Sequence, residues 1–238
     1  MVEDLLVEHS EFFRAACRNE WKEATSRVIK LPDVDPDVFH NYLYWVHREK
    51  LHPTLEIRSF ETDEPQIDGD TAAGLNHVLA QLWIFADRVA DSLLRNTVMD
   101  SMLKLEEHAD MDDTLAQAFI PATIDLIWSS TTSGRAIRMF VLDVYAEFFE
   151  PANLPTFVND INPEFKEDLM LALVGNHEKP WLYTLGRNRC RYHEHDSHHP
   201  TCPPRPTPID YGDTSRSPVD DWYYDSSDSV GFHSDSSA

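Results

Sequence analysis

Helical spacing gives way to a short β-prone run and then resumes within the first fifty residues. Leu5, Leu6, His9 and Phe13 recur on one face, so Asp4 to Cys17 is predicted to be an amphipathic helix. Arg27-Val28-Ile29-Lys30-Leu31 is rich in β-branched residues and closes at Pro32, as a short strand would. Asp35 is then a good N-cap and Pro36 a good first helical residue. Phe39, Tyr42, Leu43 and Val46 follow at i, i+3, i+4 and i+7, with Trp45 beside them. Helix, strand, helix is a narrow starting point, because one strand must find its partners elsewhere.

Beyond Leu51 the pattern breaks. Residues 52–74 hold Pro53, Pro65, Gly69 and Gly74 among acidic residues and are expected to form a surface insertion. A second helical block is predicted from about Ala73, with Leu75, Val78, Leu79, Leu82 and Phe85 or Ala86 on one stripe. Asp91 is placed to cap the next helix, in which Leu94, Val98 and Met102 recur.

The ordered set over Glu3 to Leu103 resembles a BTB/POZ domain of the fungal kind. The resemblance is carried by Leu5-Leu6 before Ser10-Glu11-Phe12-Phe13, by Trp21 and Glu23, and by Leu31-Pro32-Asp33 with Asp35-Pro36. Phe39, Tyr42 to Val46, Leu82-Trp83-Ile84-Phe85-Ala86-Asp87 and Asn96 continue it in order. It implies an α+β, predominantly helical fold whose work is protein–protein association, as scaffold or adaptor, by homo- or hetero-association. It also raises recruitment of a cullin-3 ubiquitin ligase. Members that bind cullin-3 often carry an apolar-x-Glu signature after the helix matching Asp37 to Lys50, and Leu51 to Phe60 offers no clear match. Such domains generally open with a β-hairpin, whereas Met1 falls almost at the first helix. The hairpin is therefore expected to be missing, as in a truncated gene, leaving the Arg27–Leu31 strand without its usual partners and an apolar patch exposed. Phe12, Phe13, Trp45 and Trp83 read as core residues that make the fold rather than the function.

Downstream, residues 106–185 are expected to form a helical extension packed on a core spanning 1–105. Pro121 suits a first turn, with Ile124, Ile127 and Trp128 behind it. Ser129 to Gly134 reads as a polar linker, and Ile137, Phe140, Val141, Val144 and Phe148 mark another amphipathic helix. Asn162-Pro163 repeats the cap-plus-proline signal ahead of Phe165, Leu169, Ala172 and Leu173. Residues 203–238 are Ser-, Asp- and Pro-rich with almost no aliphatics and are expected to be disordered. Trp222-Tyr223-Tyr224 within them could serve as a short docking motif.

The formal net charge of −22 argues against nucleic-acid and anionic-membrane partners, which both select for Lys and Arg. No apolar stretch is long enough to span a bilayer, and the first residues lack the pattern of a secretory signal. Cys17, Cys190 and Cys202 do not make a disulfide framework, so a reducing, intracellular location is expected.

Residues 186–202 are Cys- and His-rich. Cys190, His193, His198 and Cys202 approach the spacing of a small zinc knuckle, with His195 or His199 as substitutes. Against that reading, the segment borders a disordered tail, has no aliphatic shell, and has only Glu194 and Asp196 nearby to orient its histidines. No metal, cofactor or catalytic residue is assigned from sequence. A zinc-dependent binding protein or enzyme centred on Cys190–Cys202 is the rival from another class. Elsewhere there is no G-x-G-x-x-G, Walker loop, H-E-x-x-H or G-x-S-x-G. The Ser129–Gly134 run lacks the lysine and preceding strand of a phosphate loop. Cys17 reads as a small buried apolar residue and His9 as a satisfied core histidine. The chain is expected not to be an enzyme.

Overall fold

Ser10 divides the first expected helix in two. In this computed structural model α1 spans Val2–His9 and α2 spans Glu11–Arg18. The Ser10 hydroxyl accepts a hydrogen bond from the Phe13 N–H at 3.1 Å and donates one to the Val89 carbonyl at 2.5 Å. It is thus an N-cap that also ties the corner to a helix end far along the chain. The apolar periodicity crosses this break unaltered, which is why it does not reveal the break. The structure describes residues 2–18, 26, 28–55, 67–108, 119–148, 161–175, 189–195 and 202. The expected disordered tail and Trp222-Tyr223-Tyr224 lie outside the described residues.

Val28 to Leu31 form no strand, and Val28 is 54% exposed. The next helix, α3 (Pro36–Arg48), starts where the sequence indicates. Asp35 accepts from the Asp37 N–H at 2.8 Å, and Pro36 occupies the first turn. Glu49 ends α3 at φ 52° and donates its N–H to the Trp45 carbonyl at 2.7 Å. The face it buries is Val38, Tyr42, Trp45 and Val46, one step around from the expected stripe, so Phe39 and Leu43 are only partly buried. Phe39 still packs edge-on to Phe85, with centroids 6.0 Å apart.

α4 (Gly69–Arg88) begins inside the segment expected to be insertion. Its cap is Asp68, which accepts from the Thr71 N–H at 2.9 Å and from the Thr71 hydroxyl at 2.8 Å. Gly69 and Gly74 are helical here, tolerated because the cap and the buried Ala72, Ala73 and Asn76 stabilise the first turns. α5 (Ser92–His108) is capped by Asp91 as expected. Asp91 accepts from the Leu94 N–H at 2.9 Å and from the Trp45 indole N–H at 3.1 Å. Burial raises its carboxyl above the usual range, against the pull of those two donors.

α6 (Pro121–Ser130), α7 (Ala136–Phe148) and α8 (Pro163–Gly175) complete the helices described. Asn162 caps α8, accepting from the N–H groups of Glu164 and Phe165. One hydrophobic cluster runs from Phe13 and Tyr42 through Leu79, Trp83, Leu94 and Met99 to Ile127, Phe140 and Phe165. The helices of the expected extension therefore share the core of the preceding ones rather than forming a second one. Fully burying each large side chain in it contributes about 1.5–3 kcal/mol.

Arg138 fixes the far end. It is 2% exposed and donates to the carbonyls of Trp128 (2.6 Å) and Thr131 (2.5 Å), which α6 leaves open at its C-terminus. Its other nitrogens reach the Thr131 hydroxyl and the Glu164 carboxylate, and its guanidinium lies 5.0 Å above the Trp128 ring. Ser129-Ser130-Thr131 thus closes a helix rather than forming a free linker.

Candidate functional site

The Cys/His-rich segment is anchored to the helical core, not adjacent to it. Arg189–Arg191 form a single 3-10 turn, and Tyr192 after it is 1% exposed. The Tyr192 ring meets Phe140 edge-on at 5.3 Å, and its hydroxyl donates to Asp143 at 2.8 Å. Arg191 grips the same carboxylate through two nitrogens, at 2.7 and 3.2 Å. Burial and the neighbouring Asp143 both raise the Tyr192 phenol, so it stays a neutral donor.

Glu194 forms the next anchor. Its N–H donates to Asn96 Oδ1 at 2.8 Å, and Asn96 Nδ2 donates back to the Glu194 carbonyl at 2.9 Å, the two-bond pattern of a strand pair made by one side chain. The Glu194 carboxylate pairs with Arg95, which is 8% exposed and also pairs with Asp87 at 2.8 Å. Arg135, just before α7, closes the network, 3.2 Å from Asp87 and 3.5 Å from Glu194. Three helices, α4, α5 and α7, therefore hold one short segment through residues far apart in the chain.

On this support the cysteines and histidines converge. One ligand atom each from Cys190, His195 and Cys202 lie within 4.8 Å of one another. Cys202 Sγ is 3.5 Å from His195 Nε2 and 3.1 Å from His193 Nδ1. The Cys202 N–H donates to Cys190 Sγ at 3.2 Å. The other nitrogen of His193 is buried and lies 3.3 Å from Asp100 of α5, which in turn is 3.6 Å from Arg189. The thiol and amide of Cys202 hold the Cys190 thiol below its ordinary range, whereas burial pushes Cys202 up to about 11.

The sequence brings Cys190, His193, His195 and Cys202 into the reckoning; His198 and His199 lie outside the described residues. Beyond Glu194, Asp100 of α5 approaches His193, and Tyr192, Asn96 and Arg95 hold the residues around it. Of these, the sequence singles out Asn96 only through the family resemblance, while Arg95 and Asp100 stand unmarked beside core positions Leu94 and Met99. Arg95 is buried and Asn96 and Asp100 are half-buried among the apolar positions Leu94, Val98 and Met99 of α5. Cys17 is partly buried on α2, where burial and then Glu3 raise its thiol. The His9 side chain is 8% exposed, stands edge-on to Trp45, and lies 3.8 Å from Glu49, beyond hydrogen-bond range.

A separate open groove of about 490 Å³ lies where Asp33, Val34 and Asp35 face Phe85, Asp87 and Arg88 of α4 and Leu126 and Ser130 of α6. It borders the segment leading into α3. Among the described residues, no helix is long and apolar enough to cross a membrane.

Residues 5–63 match the BTB/POZ domain. The BTB/POZ domain is a protein–protein interaction module and not an enzyme family. The BTB/POZ match covers α1, α2 and α3 and stops before α4 begins. No curated protein and no solved structure is significantly similar to the chain.

Proposed function

We propose that the chain is a scaffold or adaptor that associates, with copies of itself or with other proteins, through its BTB/POZ region. The match over residues 5–63 carries this reading. Two surface features support it. Val28 to Leu31 are apolar-rich and unpaired into any strand among the described residues, and Val28 is 54% exposed. On α8, outside the matched residues, Met170, Leu171 and Val174 are 67%, 72% and 68% exposed and offer a second apolar surface for association. Cullin-3 is not proposed as the partner, since Leu51 to Phe60 carries no apolar-x-Glu signature.

Sedimentation equilibrium of the full chain, paired with proximity labelling in its own cell, tests the reading. Concentration-dependent association, or a labelled partner set lost with the surface variant Val28→Asp, is the expected result. A chain that stays monomeric at every concentration and labels nothing that Val28→Asp alters would overturn it.

A further inference from the structure

We infer that Cys190, His193, His195 and Cys202 bind one structural zinc ion, which staples the segment after residue 189 to helix α5. The first ground is chemical. Two thiols and two imidazoles form the S₂N₂ donor set that selects a borderline-soft, tetrahedral dication over the oxygen-seeking Mg²⁺ and Ca²⁺. Two thiolates also neutralise the ion, so the site adds no net charge to a crowded polar patch.

The second ground is geometric. Zinc–sulfur and zinc–nitrogen bonds of about 2.3 and 2.0 Å at tetrahedral angles set ligand atoms roughly 3.3–3.8 Å apart. Cys202 Sγ lies 3.5 Å from His195 Nε2 and 3.1 Å from His193 Nδ1, and the Cys190–His195–Cys202 atoms all fall within 4.8 Å. Three of the four donors thus already converge, and His193 Nδ1, 3.1 Å from Cys202 Sγ, is the candidate fourth. The Cys202 N–H aimed at Cys190 Sγ, at 3.2 Å, is a donor suited to stabilising a thiolate.

The third ground is the support around the donors. A metal-bound histidine is ordinarily oriented by a carboxylate on its other nitrogen. His193 presents Nδ1 to the Cys202 sulfur, and its buried Nε2 lies 3.3 Å from Asp100 without making a hydrogen bond, so the carboxylate stands where it could orient the ring. Asp100 is remote in sequence, on α5. Tyr192 and Glu194, which flank His193, are both locked by side-chain bonds to α7 and α5. The donor residues thus sit on a prepared frame. With four protein ligands the ion has no open position, so the site is structural rather than catalytic. Its effect would be to tie Cys202 to Cys190, His193 and His195 beside α5.

The test uses the full chain carrying no polyhistidine tag, loaded with zinc and passed through gel filtration. Elemental analysis should find one zinc per chain. Cys190→Ser, Cys202→Ser and His195→Ala should each cut occupancy at least tenfold under a competing chelator, while Cys17→Ser leaves it unchanged. Should a variant misfold, titrating the wild-type thiols with a mercurial must release the zinc in step with modification of two cysteines. Cobalt in place of zinc should give tetrahedral ligand-field bands whose thiolate charge-transfer intensity halves in Cys190→Ser. A chain that emerges metal-free, with Cys190 and Cys202 reduced or joined as a disulfide, overturns the inference. So does zinc retained undiminished in the Cys190→Ser, Cys202→Ser double variant. Self-association does not enter these readouts, so the site and the interaction reading stand or fall separately.

Discussion

Glu106→Gln should stabilise the protein, and by an amount that depends on pH. Glu106 lies on α5 at 7% exposure, with its Oε1 accepting from the Asn76 side chain at 3.3 Å and its Oε2 lacking a hydrogen-bond partner among the described residues. Burial pushes its carboxyl from 4.5 up to about 7, the Asn76 hydrogen bond opposing only part of that. The folded chain therefore holds this proton where the unfolded chain has released it. Stability falls as pH rises from about 4.5, and the loss is complete above about pH 7. At about 1.4 kcal/mol per pH unit the full loss is about 3 kcal/mol. Glutamine keeps an acceptor for Asn76 and never ionises, so it escapes the loss. Urea unfolding of both chains, followed by tryptophan fluorescence from pH 4 to 8, isolates the effect because every other titration cancels in the difference. The advantage of Glu106→Gln should grow by about 2–3 kcal/mol between pH 5 and pH 8. An offset that is the same at both ends of that range would refute the reasoning.

Asp91→Ala should cost about 2–4 kcal/mol, since it removes the cap of α5 and leaves the buried Trp45 indole N–H without its acceptor. Asp91→Asn, measured by the same unfolding assay, should recover part of that. Arg138→Met should cost about 3–5 kcal/mol because the α6 carbonyls and the Glu164 side chain lose their shared donor, and the melting temperature reports it. Tyr192→Ala should open the Arg189–His195 segment, so that trypsin cleaves after Arg189 or Arg191 well before the core is cut. Equal cleavage rates in wild type and variant would mean that Tyr192 does not hold the segment.

The helices were largely legible from local chemistry. Asp35-Pro36, Asp91 and Asn162-Pro163 start helices where the sequence places them, because a cap and its amide lie within three residues of each other, and Pro121 does so uncapped, through its fixed backbone angle at the first turn. Periodicity also marked Tyr42, Leu79, Leu82, Val98, Ile127, Phe140 and Phe165 as core. It erred by one step on α3, burying Val38 and Trp45 ahead of Phe39, since which side of a broad aromatic stripe faces inward depends on what lies opposite. Ser10 could not be read as a break, because the Val89 carbonyl that holds its hydroxyl lies seventy-nine residues away. The Arg27–Leu31 run has strand composition, yet a strand exists only with a partner, and the described residues supply none. The Cys/His segment shows the same division most sharply. Its donor types and spacing are written in the sequence. Whether they could be held in place rested on Asn96, Asp100 and Asp143, polar residues set among apolar ones on α5 and α7. Only the tertiary structure brings those three to the segment, because a second shell is assembled from residues that share a place in space and nothing in the chain's order.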